Sequence, residues 1–291
     1  MTLADSISIG ITTKDRWDDL EFTLDYLRKQ GLDGLETVVI DDGSSTRMPD
    51  RFPEMFPWVR FIRSETSLGL IAQRNHLVRA LTKPLYFSLD DDSFPVAGPL
   101  EEAAAWLLER PQVVALGFQI ISRSSAIPTG EEDSTPFPVR HFIGCAFLLK
   151  RDIFLALGGF EVLLEQYGEE PEFCLRAFQQ GFRTWFFPAV KVRHMVSQTG
   201  RKHARQCYFL SRTETLGPLW YFPRPNSYLR VCRFLPVYLM RSPASRKYAW
   251  SCVRGVLSAL SLYLRKKTNK HRLTRTQFNE WKKQRLPNDP R

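Results

Sequence analysis

Cysteine is scarce in this chain, acids are nearly missing from its C-terminal stretch, and no apolar run is long enough to cross a bilayer. The five cysteines, Cys145, Cys174, Cys207, Cys232 and Cys252, are scattered, odd in number and free of any C-x-x-C spacing. That argues against a disulfide framework and a structural zinc, and for a reducing compartment. Met1 to Gly10 holds no basic segment followed by an apolar one, so no secretory leader is expected. Gly255 to Leu264, the longest uncharged apolar stretch near the C-terminus, is bounded by Arg254 and Arg265. A spanning helix needs about 20 apolar residues, roughly twice what this stretch offers. From Arg224 onward there are 17 Lys and Arg against two acids, Glu280 and Asp289. The whole chain carries a net charge of +10, so the part before Arg224 is acidic and the basic character belongs to the tail.

What is present fits a folded α/β protein. At 291 residues, with 43% hydrophobic and 13% aromatic content, the chain can bury a large core and carry an appendage. Ser6 to Thr12 alternates as a strand. Leu20, Leu24 and Leu27, preceded by Trp17, then recur at helical spacing. Thr37 to Ile40 and Val59 to Ile62 read as strands, Gly69 to Ala80 as a helix, and Tyr86 to Leu89 as another strand. A helix over about 98–110 and a strand over Val113 to Phe118 follow. Strand followed by helix, repeated, predicts a mostly parallel central sheet flanked by helices, with ligands beyond the carboxyl ends of its strands. Ser122 to Pro138, with its acidic run Gly130-Glu131-Glu132-Asp133, lacks periodicity and reads as a lid or acceptor loop. His141 to Lys150 reads as a strand, Asp152 to Leu157 as a short helix, and Thr184 to Phe187 and Val190 to Val192 as two strands. Beyond Pro223 come basic, aromatic helical segments broken at Pro236 and Pro243.

The stretch Tyr86 to Ser93 organises the rest. An apolar strand ends there on three consecutive carboxylates, Asp90, Asp91 and Asp92, whose mutual repulsion a hard divalent cation would reverse. Mg²⁺ and Mn²⁺ take oxygen ligands, and Mg²⁺ is commonly held by one or two carboxylates together with substrate phosphates. In extended backbone Asp90 and Asp92 point one way and Asp91 the other, which suggests an Asp-x-Asp metal pair. Two more acidic sites follow buried elements, Asp41-Asp42 and Glu169-Glu170, and His194 closes a late strand. Each of these also has a structural reading. Asp41-Asp42-Gly43-Ser44 is a turn sequence, the glutamates favour a helix N-terminus, and Arg74 is a solvated helix charge.

In their order and spacing, these sites resemble the family 2 glycosyltransferases, inverting enzymes of the GT-A fold, over roughly residues 6 to 200. The cadence Gly158-Gly159-Phe160 followed by Tyr167-Gly168-Glu169-Glu170 is similar to the bacterial rhamnosyltransferase-like members. The resemblance implies a GT-A (Rossmann-like) catalytic domain over 1–222 and a basic, amphipathic helical C-terminal region over 223–291. It implies a nucleotide-sugar donor pocket lined by Thr12, Thr13, Asp15 and Arg16. Asp41 would accept a hydrogen bond from the base, Arg74 would approach the diphosphate, and Asn75 would support the loop. Mn²⁺ or Mg²⁺ would lie on Asp92 with Asp90 and His194, and Asp91 or Asp90 would lie nearer the ribose. The catalytic base would be Glu170 or Glu169, with Glu172 as the second acid.

The implied reaction moves a sugar from a UDP-, dTDP- or GDP-sugar to a hydroxyl of a glycan or lipid-linked saccharide. Two alternatives stay open. One is a Mg²⁺-dependent phosphohydrolase, which also uses a strand ending in Asp-x-Asp, although that strand normally comes first in its domain. The other is a non-catalytic protein binding a sugar nucleotide or a membrane. The tail helices Tyr228 to Met240 and Tyr248 to Leu264 mix Leu, Val, Phe and Tyr with Arg, a pattern suited to an anionic membrane surface. No recognition motif points to nucleic acid. The expected location is cytoplasmic, peripheral on the inner face of the cytoplasmic membrane.

Overall fold

The structure, a computed structural model, describes residues 2–127, 135–196, 203–241, 243–265 and 271–287. The run Gly130-Glu131-Glu132-Asp133 lies outside the described residues. The chain divides into two units, one of Met1–Phe160, Phe173–Ser197 and Arg285–Arg291, the other of Glu161–Glu172 and Gln198–Gln284.

The first unit opens with α1 (Leu3–Ser6), β1 (Ile7–Thr13), α2 (Trp17–Lys29), β2 (Glu36–Asp41), α3 (Phe52–Met55), β3 (Val59–Arg63), α4 (Leu70–Ala80) and β4 (Leu85–Asp90). It continues with β5 (Ser93–Ala97), α5 (Leu100–Leu108), β6 (Val113–Ser122), β7 (Phe137–Val139), β8 (Ala146–Lys150) and α6 (Arg151–Ala156). The helix α7 (Glu169–Gln179) starts in the second unit's residues and runs into the first, and β9 (Arg183–His194) follows.

One sheet has the order β3-β2-β1-β4-β8-β6-β9-β5, with β7 also paired to β9. The parallel arrangement read from strand-helix alternation is its N-terminal half, where β1 pairs parallel with β2 and β4, and β2 with β3. The other half is mixed. β8 runs antiparallel to β4 and β6, and β9 is parallel to β6 but antiparallel to β5. Every residue of β1 is buried, as expected for a central strand covered on both faces. Leu20, Leu24 and Leu27 of α2 pack into the same core as Ile7, Ile9, Ile11 and Phe87.

The chain runs outward from β1 to β2 to β3, then crosses back so that β4 lies on the other side of β1. That reversal makes a topological switch point between β1 and β4, where open α/β sheets leave a crevice beyond the strand ends. Thr12 pairs with Asp90 across one side of β1 and with Ile40 across the other. The residues expected to bind nucleotide and metal therefore sit at this crevice.

β5 lies at the end of the sheet order, a position where Pro95 costs no ladder bond on one side. Two expectations need correction. His141 to Cys145 lies outside the strand, which begins only at Ala146. The two strands expected around Phe187 and Val190 are one, β9, which keeps pairing with β6 through a register shift after Phe118.

In the second unit a short 3₁₀ turn (Val162–Leu164) is followed by α8 (His203–Tyr221), α9 (Asn226–Arg241), α10 (Pro243–Lys247), α11 (Ala249–Arg265) and α12 (Arg275–Lys283). α9 continues through Pro236 rather than breaking there, and Pro243 opens α10, a first-turn position where its missing N–H is no loss. Cys252, Gly255 and Ala259 form the buried line of α11. A Cβ on Gly255 would collide with the Tyr208 carbonyl of α8, so the two backbones meet only because that position is glycine. Arg212 of α8 is buried and donates to the Leu164 carbonyl at 2.8 Å, with Glu165 at 2.9 Å.

Candidate active site

The C-terminal end of β4 carries the acidic triplet. Asp90 is half-buried, while Asp91 and Asp92 are almost fully buried. β5 follows immediately, and its pairing with β9 sets Ser93 opposite His194. The Met195 amide donates to the Asp92 carbonyl at 2.9 Å. A histidine about a hundred residues downstream is thereby fixed against the triplet. Its Nε2 lies 3.2 Å from Asp92 Oδ1 and 3.9 Å from Asp90 Oδ2. One ligand atom from each of Asp90, Asp92 and His194 falls within 4.8 Å of the others.

Two carboxylates and an imidazole form a donor set suited to Mn²⁺ or Mg²⁺, and three protein ligands leave coordination positions for water or phosphate oxygens. β4 ends at Asp90, and Asp91 and Asp92 lie in the turn before β5, so the alternation expected of an extended triplet does not apply. Asp91 is held outside the cluster by its own partners. Its carboxylate accepts from Thr13 Oγ1 at 2.8 Å and from Arg16 Nε at 3.0 Å, and Arg16 Nη2 grips its other oxygen. Arg16 Nη1 also reaches Asp92 Oδ2 at 3.4 Å. The guanidinium thus spans two of the three carboxylates.

Asp15 adopts φ 54°, a left-handed conformation that a short polar side chain tolerates. Its carboxylate accepts from Ser45 Oγ and the Ser45 amide at 2.7 and 2.6 Å. The Ser45 hydroxyl holds its pKa below the ordinary carboxylate range. Asp15 therefore braces the loop after β2 and turns the chain so that Arg16 faces the triplet. Arg74 of α4 is buried and donates to Asp90 Oδ1 at 2.9 Å and to the Gly144 carbonyl at 2.6 Å. Its neighbour Asn75 holds Phe160 at both ends, donating to its carbonyl at 2.9 Å and accepting from its amide at 2.8 Å. Gly159 has φ 73° and lies so near Asn75 that a Cβ would overlap the amide oxygen.

The two acids after β2 behave differently. Asp41 Oδ1 accepts from the Ser44 amide at 2.9 Å, and Oδ2 faces Arg63 at 2.9 Å. A cleft of about 530 Å³ opens beside it, lined by Trp17, Asp41, Arg47, Met48, Phe61 and Arg63. Asp42 turns instead to the loop before α4. It accepts from Ser67 Oγ, the Leu68 and Gly69 amides and Gln73 Nε2.

In the second unit, Glu169, Glu170 and Glu172 form the first turn of α7. Glu169 and Glu172 are buried, Glu172 accepts from the Tyr221 hydroxyl, and Glu170 is half-buried. Glu165, Tyr167 and Gly168 just before it all have positive φ, at 65°, 63° and 83°. Such backbone in non-glycine residues carries strain that concentrates at functional segments.

Several contributors were not read from the sequence. Ser93 Oγ accepts from the Asp90 amide at 2.8 Å and donates to the Cys145 carbonyl at 2.6 Å. Its place directly after the triplet is the signal that marks it. Thr23 of α2 donates to the Asp91 carbonyl at 2.8 Å. No local pattern distinguishes Thr23 from any other helical threonine.

Residues 8–158 match the sequence model of the family described as Glycosyl transferase family 2. No curated protein matches the chain. Among solved structures, GalNAc-T7 with UDP, GalNAc and Mn²⁺ is similar with a TM-score of 0.64 and 15% identity, over 92% of this chain and 57% of that one. A mannosyltransferase, PcManGT from Pyrobaculum calidifontis, in complex with GDP-Man and Mn²⁺, aligns with a TM-score of 0.58 and 17% identity over 92% and 89% of the two chains. S. aureus TarS 1-349 in complex with UDP-GlcNAc aligns at 0.59 and 14%, over 89% and 81%. The shared architecture is the GT-A fold.

Proposed function

The chain belongs to glycosyl transferase family 2, and on that premise we propose that it is a metal-dependent inverting enzyme that moves a sugar from a nucleotide-sugar donor to a hydroxyl acceptor. The observation that carries the reading is the convergence of Asp90, Asp92 and His194 at the β1/β4 switch point. When bound there, Mn²⁺ or Mg²⁺ would act as a Lewis acid for the departing diphosphate. The chain's own residues bind and orient. Thr12 and Thr13 line the crevice, Asp91 keeps Thr13 and Arg16 in place, and Asp41 with Trp17 offers an acceptor and an aromatic wall in the cleft for a nucleobase. Arg74 fixes Asp90 against the Gly144 carbonyl.

Glu170 is the general base, taking the proton of the acceptor hydroxyl as that oxygen attacks the anomeric carbon. Of the three glutamates in the first turn of α7 it is the accessible one, while Glu172 is engaged by Tyr221. One displacement assisted by one base inverts the anomeric centre. Glu170→Gln is therefore expected to lower turnover by roughly 10²–10⁴ while leaving donor affinity within a few-fold of wild type. Equal activity of wild type and variant would remove Glu170 from this role and turn attention to Glu169.

The donor is a UDP-, dTDP- or GDP-sugar and the acceptor a glycan or lipid-linked saccharide, in the manner of the rhamnosyltransferase-like members. The basic helices of the second unit would bring the enzyme to an anionic membrane on the cytoplasmic side. Two lines of exposed apolar side chains support this, Leu229, Val237 and Met240 on α9 and Trp250, Leu257 and Leu264 on α11. The α11 residues recur every seven positions and so share one face of the helix. No Asp or Glu occurs between Arg224 and Asn279. A second copy docking on these faces would meet like charge, whereas anionic headgroups would meet opposite charge.

A further inference from the structure

We propose that Arg16 is a resident counter-ion that competes with the metal for Asp92 and thereby sets how tightly the unliganded protein binds it. The inference rests on the metal reading above and concerns the regulation of that same site.

A buried carboxylate without a counter-charge is costly, and such groups persist only when paired or bound to a cation. The triplet places two nearly fully buried carboxylates side by side, with Asp91 and Asp92 only 1% and 2% exposed. Arg16 answers both. It takes Asp91 through two nitrogens and Asp92 through a third. A guanidinium is a planar fork that stays charged at every accessible pH, so it can hold two carboxylates at once as a point-like ammonium cannot.

Asp92 is consequently divided. Its Oδ2 faces Arg16 at 3.4 Å and its Oδ1 faces His194 at 3.2 Å. A divalent cation entering between Asp90, Asp92 and His194 therefore meets a fixed positive charge on a carboxylate that it must share. Coulomb repulsion at this range, in a partly water-excluded crevice, weakens metal binding. The same contact lets the acidic strand end fold before any metal arrives. Asp91, which also accepts from Thr13, bears on this competition through Arg16. It holds most of the guanidinium away from Asp92 and so limits the competition.

This arrangement predicts effects of opposite sign at two neighbouring residues, read as the dissociation constant of Mn²⁺ alone, measured by calorimetry or by electron paramagnetic resonance of free Mn²⁺. Arg16→Gln removes the competitor, so Mn²⁺ binds about tenfold more tightly. Asp91→Asn releases the guanidinium to Asp92, so Mn²⁺ binds several-fold more weakly. In the double variant, Asp91→Asn has a smaller effect on the Arg16→Gln background than on wild type, because the guanidinium it restrains is gone and only the loss of its own charge remains. The double variant loses one charge of each sign, and it keeps the comparison available if Arg16→Gln alone fails to fold. It must then bind more tightly than Asp91→Asn.

Unchanged or weaker Mn²⁺ binding in Arg16→Gln overturns the proposal, as does an Asp91→Asn effect undiminished in the double variant, which would mean that Asp91 acts on the site by its own charge and not through Arg16. Wild type binding no Mn²⁺ at any concentration, with Asp92→Asn indistinguishable from it, would instead overturn the metal reading.

Discussion

Burial pushes the His141 imidazole, with help from the neighbouring Arg140 charge, from its ordinary 6.5 down to about 4. The unfolded chain takes up a proton as pH falls through about 6.5, the folded chain only near 4. Between these values the unfolded state binds more protons, so acid favours unfolding there and the fold loses stability as pH drops. His141→Gln removes that contribution. Chemical denaturation at pH 7 and pH 5 should show a smaller loss for the variant than for wild type, and equal losses would contradict the assignment. Asn75 gives a second test at this scale. Its amide is the partner of both the Phe160 carbonyl and the Phe160 amide. Asn75→Ala should therefore cost about 2 kcal/mol or more in denaturant unfolding. An effect near zero would mean that water replaces the amide freely.

At the scale of elements, Asp42 ties the loop after β2 to the start of α4 by accepting from Ser67, Leu68, Gly69 and Gln73. Asp42→Ala is expected to destabilise by about 2–4 kcal/mol, with faster amide exchange at Leu68 and Gly69 as the local signature. Uniform exchange across the domain would argue against a local tie. Most elements around the site were legible from periodicity. The buried apolar runs of β1, β2 and β4 and the Leu20, Leu24, Leu27 spacing of α2 depend on burial, which leaves a pattern in the chain. β5 was not legible, because Pro95 directly after Phe94 reads as an exit from the preceding strand, and only its place at the end of the sheet order lets it be a strand. The gathering of Asp90, Asp92 and His194 was expected by family resemblance; its physical cause, Ser93 pairing with His194, is a long-range register that no local pattern carries. Backbone strain was equally hidden. Among the described residues the positive-φ non-glycines are Asp15, Glu165, Tyr167 and Val196, all at or within a few residues of candidate site positions.

At the scale of the whole molecule, membership of glycosyl transferase family 2 sets aside the phosphohydrolase alternative, and the proposal then takes the triplet as the metal end of a donor crevice. The order of the chain already favoured that reading, since three strands, β1, β2 and β3, precede β4. Among the described residues no helix is long and apolar enough to cross a membrane. The proposed attachment uses the exposed faces of α9 and α11. Trp250→Ser, Leu257→Ser and Leu264→Ser together should sharply reduce pelleting with vesicles rich in phosphatidylglycerol. Raised salt should do the same to wild type. Equal binding to neutral phosphatidylcholine vesicles, or no change in the triple variant, would contradict the membrane reading.

The central claim is a donor site completed by metal at Asp90, Asp92 and His194. Its most direct measurement is the thermal stability of wild type and Asp92→Asn with UDP, dTDP or GDP, each with and without Mn²⁺. A ligand specific to the folded state adds about 2.7 kcal/mol at a hundred times its dissociation constant. The account predicts a clear rise in Tm for wild type with one nucleotide class, only when Mn²⁺ is present, and no rise for a folded Asp92→Asn. Stabilisation that ignores Mn²⁺, or that survives in Asp92→Asn, would contradict it.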